Sequence, residues 1–172
     1  MTRLILGRTH QHSQAVSYCK FISILSFGLF LFLFLALPCM AQTSPVGRWA
    51  TIDDVTGRQK SIVDIYSVGD TVEGKILKTF YYAGEVRKTV CDQCQGDDYM
   101  KPIVGMVILR GMQAESDNKW SGGTIMDPHN GKTYKCIMIV SDDGKTMKVH
   151  GYIGLPVLGR TQIWHRLGGM RH

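Results

Sequence analysis

Helical period is nearly absent from this sequence. Few stretches repeat apolar residues at i, i+3 and i+4 between caps, which argues against a helical bundle and an alternating α/β fold. Internal repeats and low-complexity segments are also absent, which argues against solenoids, propellers and a disordered chain. Cysteine is sparse, five in 172 residues. Only one Cys-x-x-Cys pair occurs, Cys91 and Cys94, whereas zinc sites commonly use two. The histidines beyond residue 41 are His129, His150, His165 and His172. They are dispersed and form no ligand motif. No nucleophile stands beside a base at a recognisable spacing. Acids are missing from residues 1–20, and charge of either sign from residues 21–37.

That last absence defines the leader. Arg3, Arg8 and Lys20 precede the uncharged run from Phe21 to Leu37, and Pro38 then stops a helix. Cys39-Met40-Ala41 places small residues at −3 and −1 of a cut. Basic, apolar and small residues in that order make a secretory signal peptide. The run is near the lower limit of the roughly 17–25 residues that span a bilayer, so an uncleaved anchor is the alternative. Pro38 is a poor neighbour for a lipidated Cys39. We therefore expect residues 1–41 to be removed and residues 42–172 to form one periplasmic or secreted domain. Membrane contact is then confined to the leader during export. Cleavage removes three basic residues and no acid, so the formal net charge falls from +6 to +3. The remaining Lys and Arg are scattered among Asp and Glu, as on an ordinary solvated surface, and nucleic-acid binding is not expected.

What is present is short β-rich runs separated by Gly, Asp and Asn. Strands are expected near residues 46–52, 60–67, 71–80, 103–112, 118–126, 132–140, 145–152 and 160–167. Asn130-Gly131 between two such runs is a strong hairpin signal. Alternation sorts the faces: Val72, Gly74 and Ile76 share one, and Tyr134, Cys136, Met138 and Val140 share another. The apolar string from Val104 to Leu109 is expected deepest in the sheet. Gly74, Gly105 and Gly122 are expected mid-strand, where they let a sheet curve and close. The fold class is therefore all-β, an eight-stranded up-and-down antiparallel barrel. The stretch from Tyr81 to Lys101 is too long for an ordinary connection.

Several strings taken in order carry a resemblance. They are Gly47-x-Trp49 with Asp53-Asp54-x-Thr56-Gly57, Cys91-x-x-Cys94 and Lys101-Pro-Ile-Val-Gly-Met-Val-Ile-Leu109. Trp120-Ser-Gly-Gly123, Asp127-Pro128-x-Asn130-Gly131-Lys132-x-Tyr134-x-Cys136, Gly151-Tyr152-x-Gly154 and Gly159-Arg160-Thr161-x-x-Trp164 follow. Together they resemble the exported bacterial proteins of the DUF2147 domain family, over essentially all of residues 42–172. One departure is His150, where the family pattern has Arg before the Gly-Tyr pair. The family is a domain of unknown function, so the resemblance implies a fold and no activity. Its grouping with the calycins (lipocalins and fatty-acid-binding proteins) implies that Trp49 on the first strand is covered by Arg166 from the last, as a lid on one barrel end.

The candidate sites have competing readings. Cys91 and Cys94 are a disulfide pinning the long loop, a redox pair or part of a metal site; an oxidising compartment favours the first. Cys136, on an apolar strand face, reads as a buried inert thiol. Asp127, Asn130, Gly131 and Lys132 form a polar hairpin; Asp127, Asn130, Lys132 and Tyr134 are residue types that suit a hydrolase, but a hairpin turn needs Asp-Pro and Asn-Gly for geometry alone. Asp53 and Asp54, adjacent at a strand end, are expected on opposite sides. Trp120 and Trp164 either line a cavity or pack a core. We expect no catalytic residue, cofactor or metal, and a binding role in place of an enzyme. An eight-stranded barrel can hold one small ligand, and Val72, Ile76, Tyr134 and Met138 are the expected lumen lining for an apolar or amphipathic molecule. The alternatives are a structural or interaction protein of the envelope with a filled barrel, and thiol chemistry at Cys91 and Cys94.

Overall fold

The computed structural model describes residues 43–168. The expected signal peptide, residues 1–41, lies outside the described residues. Nine strands follow in chain order: β1 Gly47–Ile52, β2 Gln59–Val68, β3 Thr71–Thr79, β4 Val107–Ser116, β5 Lys119–Ser121, β6 Thr124–Asp127, β7 Lys132–Val140, β8 Thr146–Tyr152 and β9 Gly159–Arg166. Every pairing is antiparallel. β1 pairs with both β2 and β9, and β3 also pairs with β4, so the sheet closes on itself. β5 and β6 both lie between β4 and β7. The nine strands thus occupy eight barrel positions, and among the described residues closure leaves no exposed sheet edge.

Two of the expected strands are drawn differently. The run 118–126 breaks at Gly122-Gly123 into β5 and β6. A Cβ on Gly123 would lie 2.4 Å from the Arg110 carbonyl oxygen, so only glycine lets this segment approach β4 so closely. The run 103–112 begins later, at Val107, and residues 103–106 form a turn. Val104 is half exposed, and Gly105 and Gly122 have left-handed backbone (φ 92° and 79°) in place of mid-strand geometry. The later start follows from local pairing: Pro102 bridges Val90, Ile103 N–H donates to the Thr89 carbonyl (2.9 Å), and the left-handed Gly105 turns the chain before β4. The turn remains tied to β3: Ile76 N–H donates to the Met106 carbonyl (2.9 Å), and Gly105 N–H to that of Ile76 (2.7 Å).

Period-2 alternation places one face of each strand inside. The half of the barrel where β1 begins and β9 ends is filled with side chains. Trp49, Val63, Ile65, Leu109, Met112, Met138, Val140 and Met147 are all buried there. Gly74 leaves no void in that half. A Cβ added to it would come within 3.0 Å of Leu109 and 3.1 Å of Val63. The glycine is room that neighbouring side chains already occupy, at the packing density expected of a core. The other half is reached by four connections: residues 53–58, 80–106, 128–131 and 153–158.

Candidate functional site: an open-ended barrel

The filled end is capped by Trp49 and Arg166. The Arg166 guanidinium carbon stands 4.2 Å over the centre of the Trp49 ring. Its nitrogens donate to the carbonyls of Gly144 (2.5 Å), Val46 (2.8 Å) and Ser44 (2.6 Å). Partial burial holds the guanidinium below its usual pKa. The Trp49 indole N–H donates to the Pro45 carbonyl (2.7 Å). Gly47 has φ 128°, and a Cβ there would lie 3.0 Å from an Arg166 nitrogen. Glycine two residues before the tryptophan therefore serves both the backbone angle and the seat of the guanidinium.

At the opposite end a cleft of about 480 Å³ enters the barrel. Its inner wall is mostly apolar, with Ile76, Ile103, Ile108, Val149 and Trp164, and includes Thr51 and Ser61. Its rim is polar, with Asp53, Lys60, Asp127, His129, Asn130 and Arg160. The volume falls within the usual range for small-molecule pockets, roughly 300–1,000 Å³. Of the four residues expected to line a lumen, Ile76 and Tyr134 border this cleft. Val72 and Met138 share their inward faces, but they are buried nearer the capped end. The alternation was the same along both strands; what differs is that packing fills one half only. Trp164 likewise borders the cleft, whereas Trp120 lies in the filled half.

The rim cations Arg160 and Lys60 are paired. Arg160 donates from Nε to both Asp54 carboxylate oxygens (2.7 Å each) and from Nη2 to Asp54 as well. The same nitrogen is 3.6 Å from Asp53. The two aspartates were expected on opposite sides, as for strand residues. They lie beyond β1 in the turn, where strand alternation no longer applies, and both reach Arg160. Hydrogen bonds from Thr56 hold Asp53 below its usual pKa, and the Arg160 bond does the same for Asp54. Lys60 pairs with Glu85 at 3.0 Å.

The polar hairpin is a turn packed against the long loop. Asp127 accepts from His129 N–H (2.9 Å), and Asn130 from Lys132 N–H (2.9 Å). Gly131 has φ 68°, and a Cβ there would overlap the Gln93 carbonyl oxygen at 2.0 Å. Asp127 and Asn130 border the cleft; Gly131 and Lys132 do not. Cys91 and Cys94 are joined as a disulfide with a Cα–Cα distance of 5.4 Å. Cys91 Sγ lies 3.3 Å from the Pro128 carbonyl oxygen, and Cys94 Sγ 3.7 Å from Met126 Sδ. Both sulfur-bearing residues are buried, at 0% and 5% exposure, and thiol exchange needs an approach to sulfur. Cys136 is a free buried thiol, pushed up to about 12 by burial. Among the described residues no group of three His, Cys, Asp or Glu is placed to hold a metal ion.

Residues 153–158 border the open end and carry no charge. Ile153, Leu155, Val157 and Leu158 are exposed there at 61–83%. His150 anchors the segment: one ring nitrogen lies 2.7 Å from the Pro156 carbonyl oxygen and the other 2.8 Å from Thr161 Oγ1.

Comparison with known proteins supports the same architecture. A family model described as "Uncharacterized protein conserved in bacteria (DUF2147)" matches residues 47–166. A search of curated proteins finds no match. Among solved structures, the chain is similar to protein HP1028 from the human pathogen Helicobacter pylori, described as belonging to the lipocalin family. The TM-score is 0.62 at 17% identity, over 73% of this chain and 84% of that one. At that identity the likeness shows the fold alone.

Proposed function

We propose that this chain, which belongs to the DUF2147 family, is an exported binding protein that takes one small apolar or amphipathic molecule into the open end of its barrel. The observation that carries the proposal is the asymmetry of the interior. One half is packed solid, and the other holds a cleft of about 480 Å³ with a mostly apolar inner wall and a polar rim. A molecule with an apolar body and a polar end matches that gradient, because its apolar area leaves water while its polar end stays at the mouth. Export rests on the order of basic, apolar and small residues in residues 1–41.

The exposed aliphatic segment 153–158 favours a second reading, an envelope interaction protein that uses this surface on a partner. Exposed apolar patches mark such surfaces as well as ligand entrances. One substitution separates the two. Gly151 borders the cleft, and a Cβ there would meet Ile125 and Tyr134 at ordinary contact distances, 3.4–3.5 Å. Gly151→Leu should fill the cleft and leave the segment in place. An environment-sensitive apolar dye should bind the natural protein at one per chain, quench Trp164, and lose affinity in the variant. Undiminished binding in a folded variant would place the dye on the outer surface and favour the second reading.

A further inference from the structure

Two polar side chains stand where alternation calls for apolar ones. Thr51 on β1 follows the inward Trp49, and Ser61 on β2 precedes the inward Val63 and Ile65. They face each other across the β1–β2 ladder and both border the cleft. Thr51 and Ser61 are 6% and 8% exposed. Their hydroxyl oxygens are 2.8 Å apart. Thr51 Oγ1 also accepts the Ser61 backbone N–H at 3.0 Å.

Two hydroxyls carry two O–H donors, and the bond between them uses one. Whichever oxygen donates, one O–H is left over, and among the described residues no other acceptor is bonded to either oxygen. A buried donor without an acceptor is unfavourable. Further donors border the cleft, Gln162 and Tyr134 among them. Gln162 Oε1 accepts from the Trp164 indole (3.2 Å), which leaves its amide N–H groups free. Tyr134 accepts from Asn130 (3.1 Å), which leaves its own O–H free. The two cations that border the cleft, Lys60 and Arg160, are already engaged by Glu85 and Asp54. The interior thus offers donors without a spare positive charge.

We propose that the Thr51–Ser61 pair is the polar subsite of the cleft and that it accepts an uncharged carbonyl oxygen, as in an ester, amide or ketone of an apolar molecule. The inference rests on the ligand-binding reading above and adds the chemical class. A carboxylate at this depth would lack a compensating charge, and a plain hydrocarbon would leave the hydroxyl without a partner. The pair is also redundant. In Ser61→Ala the Thr51 hydroxyl becomes the free donor, and in Thr51→Val the Ser61 hydroxyl does. Only the double variant removes both.

The test is displacement of the apolar dye by methyl laurate, laurate and dodecane, with the natural protein and three variants. Methyl laurate should compete better than the other two. Ser61→Ala and Thr51→Val should each keep that preference. The double variant should bind methyl laurate about two- to tenfold more weakly, the worth of one neutral hydrogen bond, while its affinity for dodecane is unchanged. Thr51→Val also deprives the Ser61 N–H of its acceptor, so it controls for lost stability in the double variant. Should the double variant fail to fold, the selectivity of the natural protein decides alone. Equal competition by methyl laurate and dodecane, a preference for laurate, or an unaltered ester preference in the double variant would each overturn the subsite while leaving ligand binding intact. Absence of dye binding would instead overturn both.

Discussion

Arg166→Ala removes the cap on the filled end, and its cost can be worked from the contacts. The side chain gives hydrogen bonds to three backbone carbonyls, from Ser44, Val46 and Gly144. Bonds from a charged donor contribute about 1.5–3 kcal/mol each when buried. The outer nitrogens here remain in reach of solvent, which can take over part of those bonds. Stacking on Trp49 adds about 0.5–2 kcal/mol. These terms share one side chain and do not add. A loss of about 2–4 kcal/mol is expected, or a fall in Tm on the order of 10 °C for a domain of this size. Thermal unfolding followed by near-UV circular dichroism measures it, and the tryptophan emission should shift as the indole of Trp49 loses its cover. Arg166→Lys should recover little, because one ammonium cannot bridge three separated carbonyls. Dye binding at the far cleft should persist at temperatures where the variant is folded. A Tm within about 2 °C of the natural protein, with unaltered emission, would refute the assignment of Arg166 as the cap of the filled end.

Three further outcomes are expected. Alkylation without reductant, read by mass spectrometry of denatured protein, should label Cys136 and spare Cys91 and Cys94; labelling of all three would show the pair to be reduced. Gly131→Ala should destabilise by about 2 kcal/mol or more, since it combines a left-handed backbone with a methyl driven into the Gln93 carbonyl; a Tm change of under a degree would mean that the 128–131 turn and the disulfide loop are not packed together. N-terminal sequencing of protein from its host should begin at Gln42 within a few residues, and recovery only of intact protein in membranes would refute cleavage.

The barrel was legible in the sequence because alternation and turn residues are local signals. Asn130-Gly131 sits in the turn between β6 and β7, and Tyr134, Cys136, Met138 and Val140 follow one another along one inward face of β7. Local signals also misled. The apolar string after Pro102 read as strand from residue 103, although Pro102 and Gly105 punctuate it. Gly122 read as curvature within one strand, although Gly122-Gly123 as a pair also marks a break. The cleft was less legible because it depends on how far packing extends along each strand. Val72 and Ile76 lie on one face of β3, and nothing local distinguishes the filled half from the open one. The bond between Asp54 and Arg160 joins residues 106 apart in sequence, beyond any local pattern. Thr51 and Ser61 did leave a signal, since each interrupts an otherwise apolar inward alternation.

The most direct test of the central claim is native mass spectrometry of the protein purified from its host, followed by solvent extraction of what it carries. The account predicts an added mass at one per chain, released on unfolding and recovered as an apolar or amphipathic small molecule, and absent from the Gly151→Leu variant. A natural protein that carries no such mass, and that binds neither fatty acids nor an apolar dye when they are supplied, would contradict it.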